Sequence, residues 1–476
     1  MIQWAAVSLV GALLGLYLLR VLSLSVPSPW PYLMIVAVLV PFIAMIVGNA
    51  RKLLLAATIL DIPFQWGIHL NYNAPAASMG AIAGLGVSVT TASVLALYAM
   101  WIPELLTRKG KARYQPWFWA TLPAAIYVAL VAASTLVAQS VTFSAYEVFI
   151  LVQTLLLYIY IVSTVRTRED VMFLVTMQVV SLLMESLVMF GLHFIGPSFR
   201  IPGLTTHLDP TVVAVVPGSI ARDTGTFGSP NVAASFLALL LAPSFALLLM
   251  KVGRARKLLA ASALAFGGLA LVVTFSRGGW LAFAVSMTII SVVAIRRRWL
   301  SPIGPMAIVA AGALLFVIFQ GPIVARLFDA EAAAGRIPLI TLAFSIIKAH
   351  PWFGVGANNF YVVMPQYLSS EYVGAWLYVV HNKYLLVWAE TGIFALIAFL
   401  IFLLTTLYRG WQVWRRGDSF LAPLALAFTA AVVGQMVHMN FDLFNAQAQV
   451  QGLWLAAALL AAMRNIQDGE KTSGAK

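Results

Sequence analysis

The chain is predicted to be an all-α polytopic membrane protein, and three observations predict it. Of its 476 residues 62% are hydrophobic and only 9% charged, with a mean hydropathy of +0.94. Apolar runs of about 20 residues, the length that crosses ~30 Å of hydrocarbon, recur along the chain. These runs lack the period-2 alternation of an outer-membrane barrel. A soluble domain is nearer half apolar and a quarter charged, so its core could not absorb this sequence.

Taken in order, the candidate spans fall at about 4–24, 31–48, 53–70, 80–102, 117–137, 146–164 and 171–195, then at 232–250, 258–275, 280–295, 303–321, 384–408, 420–438 and 446–463. This predicts about 12–14 transmembrane helices. The first run starts near Trp4 without a small-residue cleavage site and is read as a span rather than a signal peptide. Asp61 and Pro63 interrupt the third. The ninth and tenth form a tight hairpin around Ser276-Arg277-Gly278-Gly279. The organisation expected is an N-terminal helical region at 1–200, a region at 201–464 that carries the outer loops, and a polar tail at 465–476.

The net charge of +13 is explained by position. Basic clusters at Arg51-Lys52, Arg108 to Arg113, Arg166 and Arg168, Lys251 to Lys257, Arg296 to Arg298, Arg409 to Arg416 and from Arg464 onward each follow an even-numbered span. They hold 21 of the 29 Lys and Arg residues. The positive-inside rule places these loops and both termini in the cytoplasm. The charge is then an orientation signal and a contact to anionic lipid, and nucleic acid is not an expected partner. Two long loops, about 196–231 and 322–383, fall on the outer side, with all six histidines on or near it. Long loops on a helical scaffold tend to carry function. The absence of cysteine removes disulfides, iron–sulfur clusters and thiol nucleophiles.

The outer side also carries the candidate chemistry. Charge at the mouth of a helix bundle is costly unless an anion sits there, and the phosphate of a lipid-linked substrate is the obvious anion. Arg277 sits in a glycine turn that lets a ligand approach the backbone, and its planar fork suits phosphate; the plain alternative is a snorkelling arginine. Arg336 opens an apolar segment, 336–350, that reads as an interfacial helix with Pro338 in its first turn. His381, ahead of the twelfth span, can accept a proton from a sugar hydroxyl near neutral pH; a capping or interfacial histidine is the alternative. Arg222 lies among turn glycines, and Asn231 is read as an N-cap after Pro230. His438 and Asp442 flank the outer end of the thirteenth span and read as interfacial residues or site-lining ones. The outer acids Asp209, Asp223, Asp329, Glu331, Glu371 and Asp442 are scattered, without metal-ligand spacing, and no Walker A or dinucleotide loop is present.

The ordered set RDTGTFGSPN, TFSRGGWLA, GRIPLITLAFSIIKAHPWFGVGANNF and HNKYLLVWAETGIFAL resembles the bacterial O-antigen ligase and O-antigen polymerase superfamily over about residues 220–400. The resemblance implies a C-type glycosyltransferase (GT-C) fold in the cytoplasmic (inner) membrane, with an extracytoplasmic active site. It implies a glycan donor on undecaprenyl diphosphate, and an acceptor hydroxyl on lipid A–core for a ligase or on another lipid-linked repeat for a polymerase. No metal or diffusible cofactor is implied. By the same resemblance Arg277 and Arg336 bind the diphosphate, Arg222 faces the same site, and His381 is the base. Displacement is then direct and inverts the anomeric centre. Fourteen expected spans, against about a dozen for the family's ligases, leave ligase and polymerase both open. A transporter of lipid-linked sugar is the competing class, but its charges belong near the bilayer midplane and these gather at one rim.

Overall fold

A computed structural model describes residues 49–107, 117–195, 222–328, 335–368 and 377–474. The expected spans at 4–24 and 31–48, the basic loop from Arg108 to Arg113, His207, and the acids Asp209, Asp329, Glu331 and Glu371 lie outside these residues. The chain runs through α1 (Ala50–Phe64), β1 (Gly67–Leu70), α2 (Ala74–Ser78), β2 (Leu85–Ser88), α3 (Val89–Thr107), α4 (Trp117–Ser134), α5 (Val141–Thr164) and α6 (Arg168–Ile195). It continues through α7 (Pro230–Leu249), α8 (Arg254–Val273), α9 (Arg277–Arg296), α10 (Ile303–Ile318) and α11 (Gln320–Leu327). Then follow α12 (Ile337–Ala349), α13 (Phe360–Val363), α14 (Lys383–Arg416), α15 (Leu421–His438) and α16 (Gln447–Gly474). Among the described residues nine helices are long and apolar enough to cross a membrane, so this is a multi-pass helical membrane protein. Helices α1, α10 and α16 are not among the nine. The first two are too short, and the third is diluted by Gln447, Gln449, Gln451 and Arg464.

The third expected span, 53–70, is corrected. Helix α1 stops after 15 residues, a rise of ~22 Å, because Gln65 turns left-handed at φ 49°. The chain then enters an antiparallel hairpin, with Gly67 opposite Ser88 and Leu70 opposite Leu85. The residues that interrupt the apolar run build this turn. The Asp61 carboxylate accepts from the Trp66 N–H at 2.8 Å, the Thr90 N–H at 2.7 Å and the Thr90 hydroxyl at 2.8 Å. It thereby ties the start of β1 to the end of β2. The fourth span accordingly begins at Val89 rather than 80.

Two helices occupy the centre. Helix α7 is buried on all sides from Ala233 to Leu247, and α16 from Leu453 to Met463, as expected of helices that are apolar all round. The α8–α9 hairpin exists, but its legs splay and each packs on α7 more than on the other. Helix α15 fills the space between α7, α9 and α14.

On the outer side α12 buries Leu339, Leu342, Ala343, Ile346 and Ile347, the i, i+3, i+4 stripe of an amphipathic helix. That stripe packs on α14. The loop after α12 is bolted to a kink in α14. The Val355 N–H donates to the Ala389 carbonyl at 3.1 Å, the Gly356 N–H to the Glu390 carbonyl at 2.7 Å, and the Ile393 N–H to the Pro351 carbonyl at 3.1 Å. Two glycines make the approach possible. Gly392 has φ 81° inside α14, where a Cβ would lie 2.0 Å from the Trp352 oxygen; at Gly354, φ 67°, a Cβ would lie 2.3 Å from the Glu390 carbonyl. This bolt fixes Arg336, at the head of α12, relative to His381, at the head of α14. Gly354→Ala is expected to lose roughly 1–3 kcal/mol from backbone strain alone, and more from overlap, read as a lower Tm in detergent. Gly312→Ala, which faces open space, should leave Tm unchanged.

Candidate functional site

Arg277, Arg336 and His381 stand at or just before the heads of α9, α12 and α14, where the helix dipole favours anions. Arg222 is buried; its Nε donates to the Thr274 carbonyl at 2.8 Å and its Nη2 to the Asn231 Oδ1 at 2.9 Å. The Ser276 hydroxyl donates to that same Asn231 oxygen at 3.0 Å. The N-cap reading of Asn231 is therefore corrected. Ser229 is the N-cap of α7, and Asn231 joins the RDTGTFGSPN segment to the Ser276–Gly279 turn. Thr226 anchors the rest of that segment. Its N–H and hydroxyl donate to the Glu185 carboxylate at 2.9 and 2.8 Å.

Each residue of the Ser-Arg-Gly-Gly turn has its own task. Ser276 caps α9, accepting from the Gly279 N–H at 3.4 Å. Arg277 is the first residue of the helix, and its Nη1 lies 3.5 Å from the Leu327 carbonyl. A Cβ on Gly278 would lie 2.7 Å from His438 Cδ2, and one on Gly279 would lie 2.4 Å from Ala234 Cβ. The first glycine admits the His438 ring and the second seats α9 on α7.

Arg222, Arg277 and Arg336 act on one another electrostatically, and a fourth guanidinium, Arg326 of α11, joins them. Arg326 Nε lies 3.4 Å from the Phe275 carbonyl, at the same turn. Burial first, then Arg326, Arg336 and Arg277, press Arg222 down to about 9, with Asp442 opposing; it remains cationic at pH 7. Arg336 is lowered as well, by burial above all, with Asp442 again acting in the other direction. Asp442 is buried and accepts from Gln449 Nε2 at 2.6 Å. Among the described residues these four guanidiniums gather in one place, with the Asp442 carboxylate acting on Arg222 and Arg336. Like charges brought together in a partly buried place are eased by a bound anion.

Asp442 acts on His381 as well as on Arg222. The His381 ring lies tilted against Tyr378, with centroids 5.0 Å apart at 36°. Burial, then Arg336, lowers its pKa to about 4, against Asp442 and a backbone bond at Val379. His381 is neutral at pH 7 and can take a proton. Asn382 caps α14, accepting from the Tyr384 and Leu385 N–H groups at 3.0 Å, and so fixes the backbone next to His381. His438, read from sequence as interfacial or site-lining, is buried beside Gly278, and its Nδ1 has no hydrogen-bond partner among the described residues.

Sequence reasoning missed Arg326 and left Asp442 and His438 undecided. The first was one more basic residue at a short helix, and the others were single polar residues at a helix end. The remaining histidines are placed elsewhere. His193 pairs with Asp223 at 3.0 Å, and His350 Nε2 lies 3.0 Å from the Tyr367 hydroxyl. Among the described residues no group of three or more His, Asp or Glu side chains could hold a metal ion.

Residues 260–400 match the family model described as O-antigen ligase. That match supports the O-antigen ligase/polymerase superfamily. It contains Arg277, Arg326, Arg336 and His381, while Arg222, Asn231, His438 and Asp442 lie outside it. No curated protein matches the chain.

The geometry predicts a response to inorganic pyrophosphate. The wild-type protein should gain thermal stability on saturation, by ~2.7 kcal/mol at a hundredfold excess over Kd. Gly278→Ala, which must displace His438 or the head of α9, should lose most of that gain. Gly268→Ala, with nothing within 4 Å of its Cβ, should keep it.

Proposed function

We propose that this protein transfers a glycan from a polyprenyl diphosphate to a sugar hydroxyl on the extracytoplasmic side of the bacterial inner membrane, within an O-antigen ligase- or polymerase-type GT-C enzyme. Arg277 and Arg336, with Arg222 and Arg326 behind them, hold the diphosphate. His381 takes the proton of the acceptor hydroxyl as its oxygen bonds to the anomeric carbon. The bond from that carbon to the diphosphate oxygen breaks, and its electron pair leaves with the polyprenyl diphosphate. Undecaprenyl diphosphate is the expected carrier. Lipid A–core (ligase) or a second lipid-linked repeat (polymerase) is the expected acceptor.

The observation that carries this reading is the gathering of four guanidiniums from separate elements beside a buried imidazole. Charge grows on the diphosphate as the glycosidic bond breaks, and donors fixed in advance around it stabilise that growth more than the ground state. A lipid diphosphate leaves without acid assistance, so one base suffices.

Three outcomes test the reading in purified protein given lipid-linked glycan and acceptor. Arg277→Ala and Arg336→Ala should each lower turnover by ~10²–10³-fold, and His381→Ala by ~10²–10⁴-fold. The new linkage should have inverted configuration by NMR. The acid limb of kcat/KM should lie below the ~6.5 of an ordinary imidazole, because protonated His381 cannot act as a base and its pKa is depressed toward about 4. An Arg277→Ala protein with full turnover, or a retained product, contradicts the mechanism. In a deletion strain, bare lipid A–core with long lipid-linked chains indicates a ligase, and core capped by one repeat a polymerase.

A further inference from the structure

A cavity of about 340 Å³ lies beside the arginine cluster, between the β1–β2 hairpin and the Asp442–Gln449 segment. Its size is at the lower end of the ~300–1,000 Å³ range of small-molecule sites. The hairpin that forms one wall is the element hydropathy did not reveal. Its tip is held by the site itself. The Val379 N–H donates to the Met79 carbonyl at 3.0 Å, and the Asn445 amide to the Gly80 carbonyl at 2.9 Å. Asn358, in the loop after α12, accepts from the Ile82 N–H at 2.9 Å and donates to the Ile82 carbonyl at 2.8 Å. The motif loop thus positions the cavity wall as well as Arg336.

The lining differs in kind from the arginine cluster. Among the described residues it contains no Lys or Arg, and its polar groups are mostly amides and aromatic rings, with one carboxylate, Asp442, and one hydroxyl, Ser229; Gln65, His69, Tyr72, Gln447 and Gln449 are among them. Gln449 is 2% exposed and donates to Asp442, while its Oε1 has no hydrogen-bond partner among the described residues. A buried amide oxygen left open is costly unless a donor arrives. His69 and Tyr72 lie tilted to each other with centroids 5.6 Å apart, and Tyr72 is exposed. Amides, which both donate and accept, together with an aromatic face suit a neutral polyhydroxylated ring. Asp442 and Tyr378 line the cavity and are also the neighbours of His381. Tyr378 and Asp442 thus link the cavity to His381.

We propose that this cavity is the acceptor-sugar subsite, delivering a neutral glycan hydroxyl to His381. The assignment rests on the transferase reading above. It adds that the hairpin and the segment after α15 select the acceptor.

The test uses the full chain in nanodiscs and two kinds of probe: the oligosaccharides released by mild acid from the source strain's lipid A–core and from its lipid-linked glycan, one for each acceptor, and inorganic pyrophosphate. Tyr72→Ala and Gln447→Ala remove exposed or half-buried side chains and leave the arginines untouched. Each should weaken oligosaccharide binding about tenfold, the equivalent of ~1.4 kcal/mol, and raise KM for acceptor by the same factor. Stabilisation by pyrophosphate should be unchanged. Gln449→Met, which replaces the open amide with an apolar chain of similar length, should act in the same direction. Equal oligosaccharide binding by wild type and variants, or no binding of either oligosaccharide by wild type, overturns the subsite while pyrophosphate binding persists. Failure of pyrophosphate to bind wild type instead brings down the diphosphate reading, whatever the sugar does.

Discussion

The mutual repulsion of four guanidiniums gathered at one end of the bundle is the constraint around which the rest is arranged. Arg222 is buried and repelled by Arg326, Arg336 and Arg277, with Asp442 as the opposing charge. Holding such a group together requires backbone carbonyls and amides placed in advance, and these are present: Thr274 and Asn231 for Arg222, Phe275 for Arg326 and Leu327 for Arg277. The helix heads at Arg277 and Arg336 add partial positive charge there. A bound anion would relieve this repulsion, and the proposed diphosphate site rests on that.

The arrangement survives because the helices that present it are locked in pairs. Helix α9 is seated on α7 through Gly279 and on His438 through Gly278. Helix α12 is seated on α14 through the Gly354–Gly392 contact. Tyr384 donates to the Met436 carbonyl at 2.8 Å and the Lys383 N–H to the Met439 carbonyl at 2.8 Å, which ties the His381 segment to the end of α15. At Gly354 and Gly392 two backbones approach too closely for a side chain, and at Gly278 and Gly279 a neighbouring side chain fills the space a Cβ would need, so small relative motions of the cations are resisted by packing rather than by the cations themselves.

Much of this could be read from the sequence, for definite reasons. Arg277, Arg336 and His381 each stand at the head of an apolar run, and hydropathy finds such heads well. Their convergence was legible only as a shared side of the membrane, since helix order in space is not encoded in hydropathy. Asn231 was misassigned because a polar residue after Pro230 resembles a cap; its hydrogen bonds instead go across sequence to Arg222 and Ser276. The β1–β2 hairpin was hidden inside apparent spans, because Gly67 to Leu70 and Leu85 to Ser88 are apolar enough to extend the neighbouring helical runs. Asp61 marked the break, but its three bonds to Trp66 and Thr90 could not be inferred from spacing.

The most direct test is a cryo-EM map of the protein in nanodiscs with polyprenyl diphosphate. The account predicts two phosphate peaks among the guanidiniums, at charge-assisted hydrogen-bond distance (~2.7–2.9 Å) from Arg277 and Arg336, with the polyprenyl chain leaving into the outer leaflet. Phosphate density at the cytoplasmic basic loops instead, with the space between Arg277 and Arg336 filled only by protein, would contradict it.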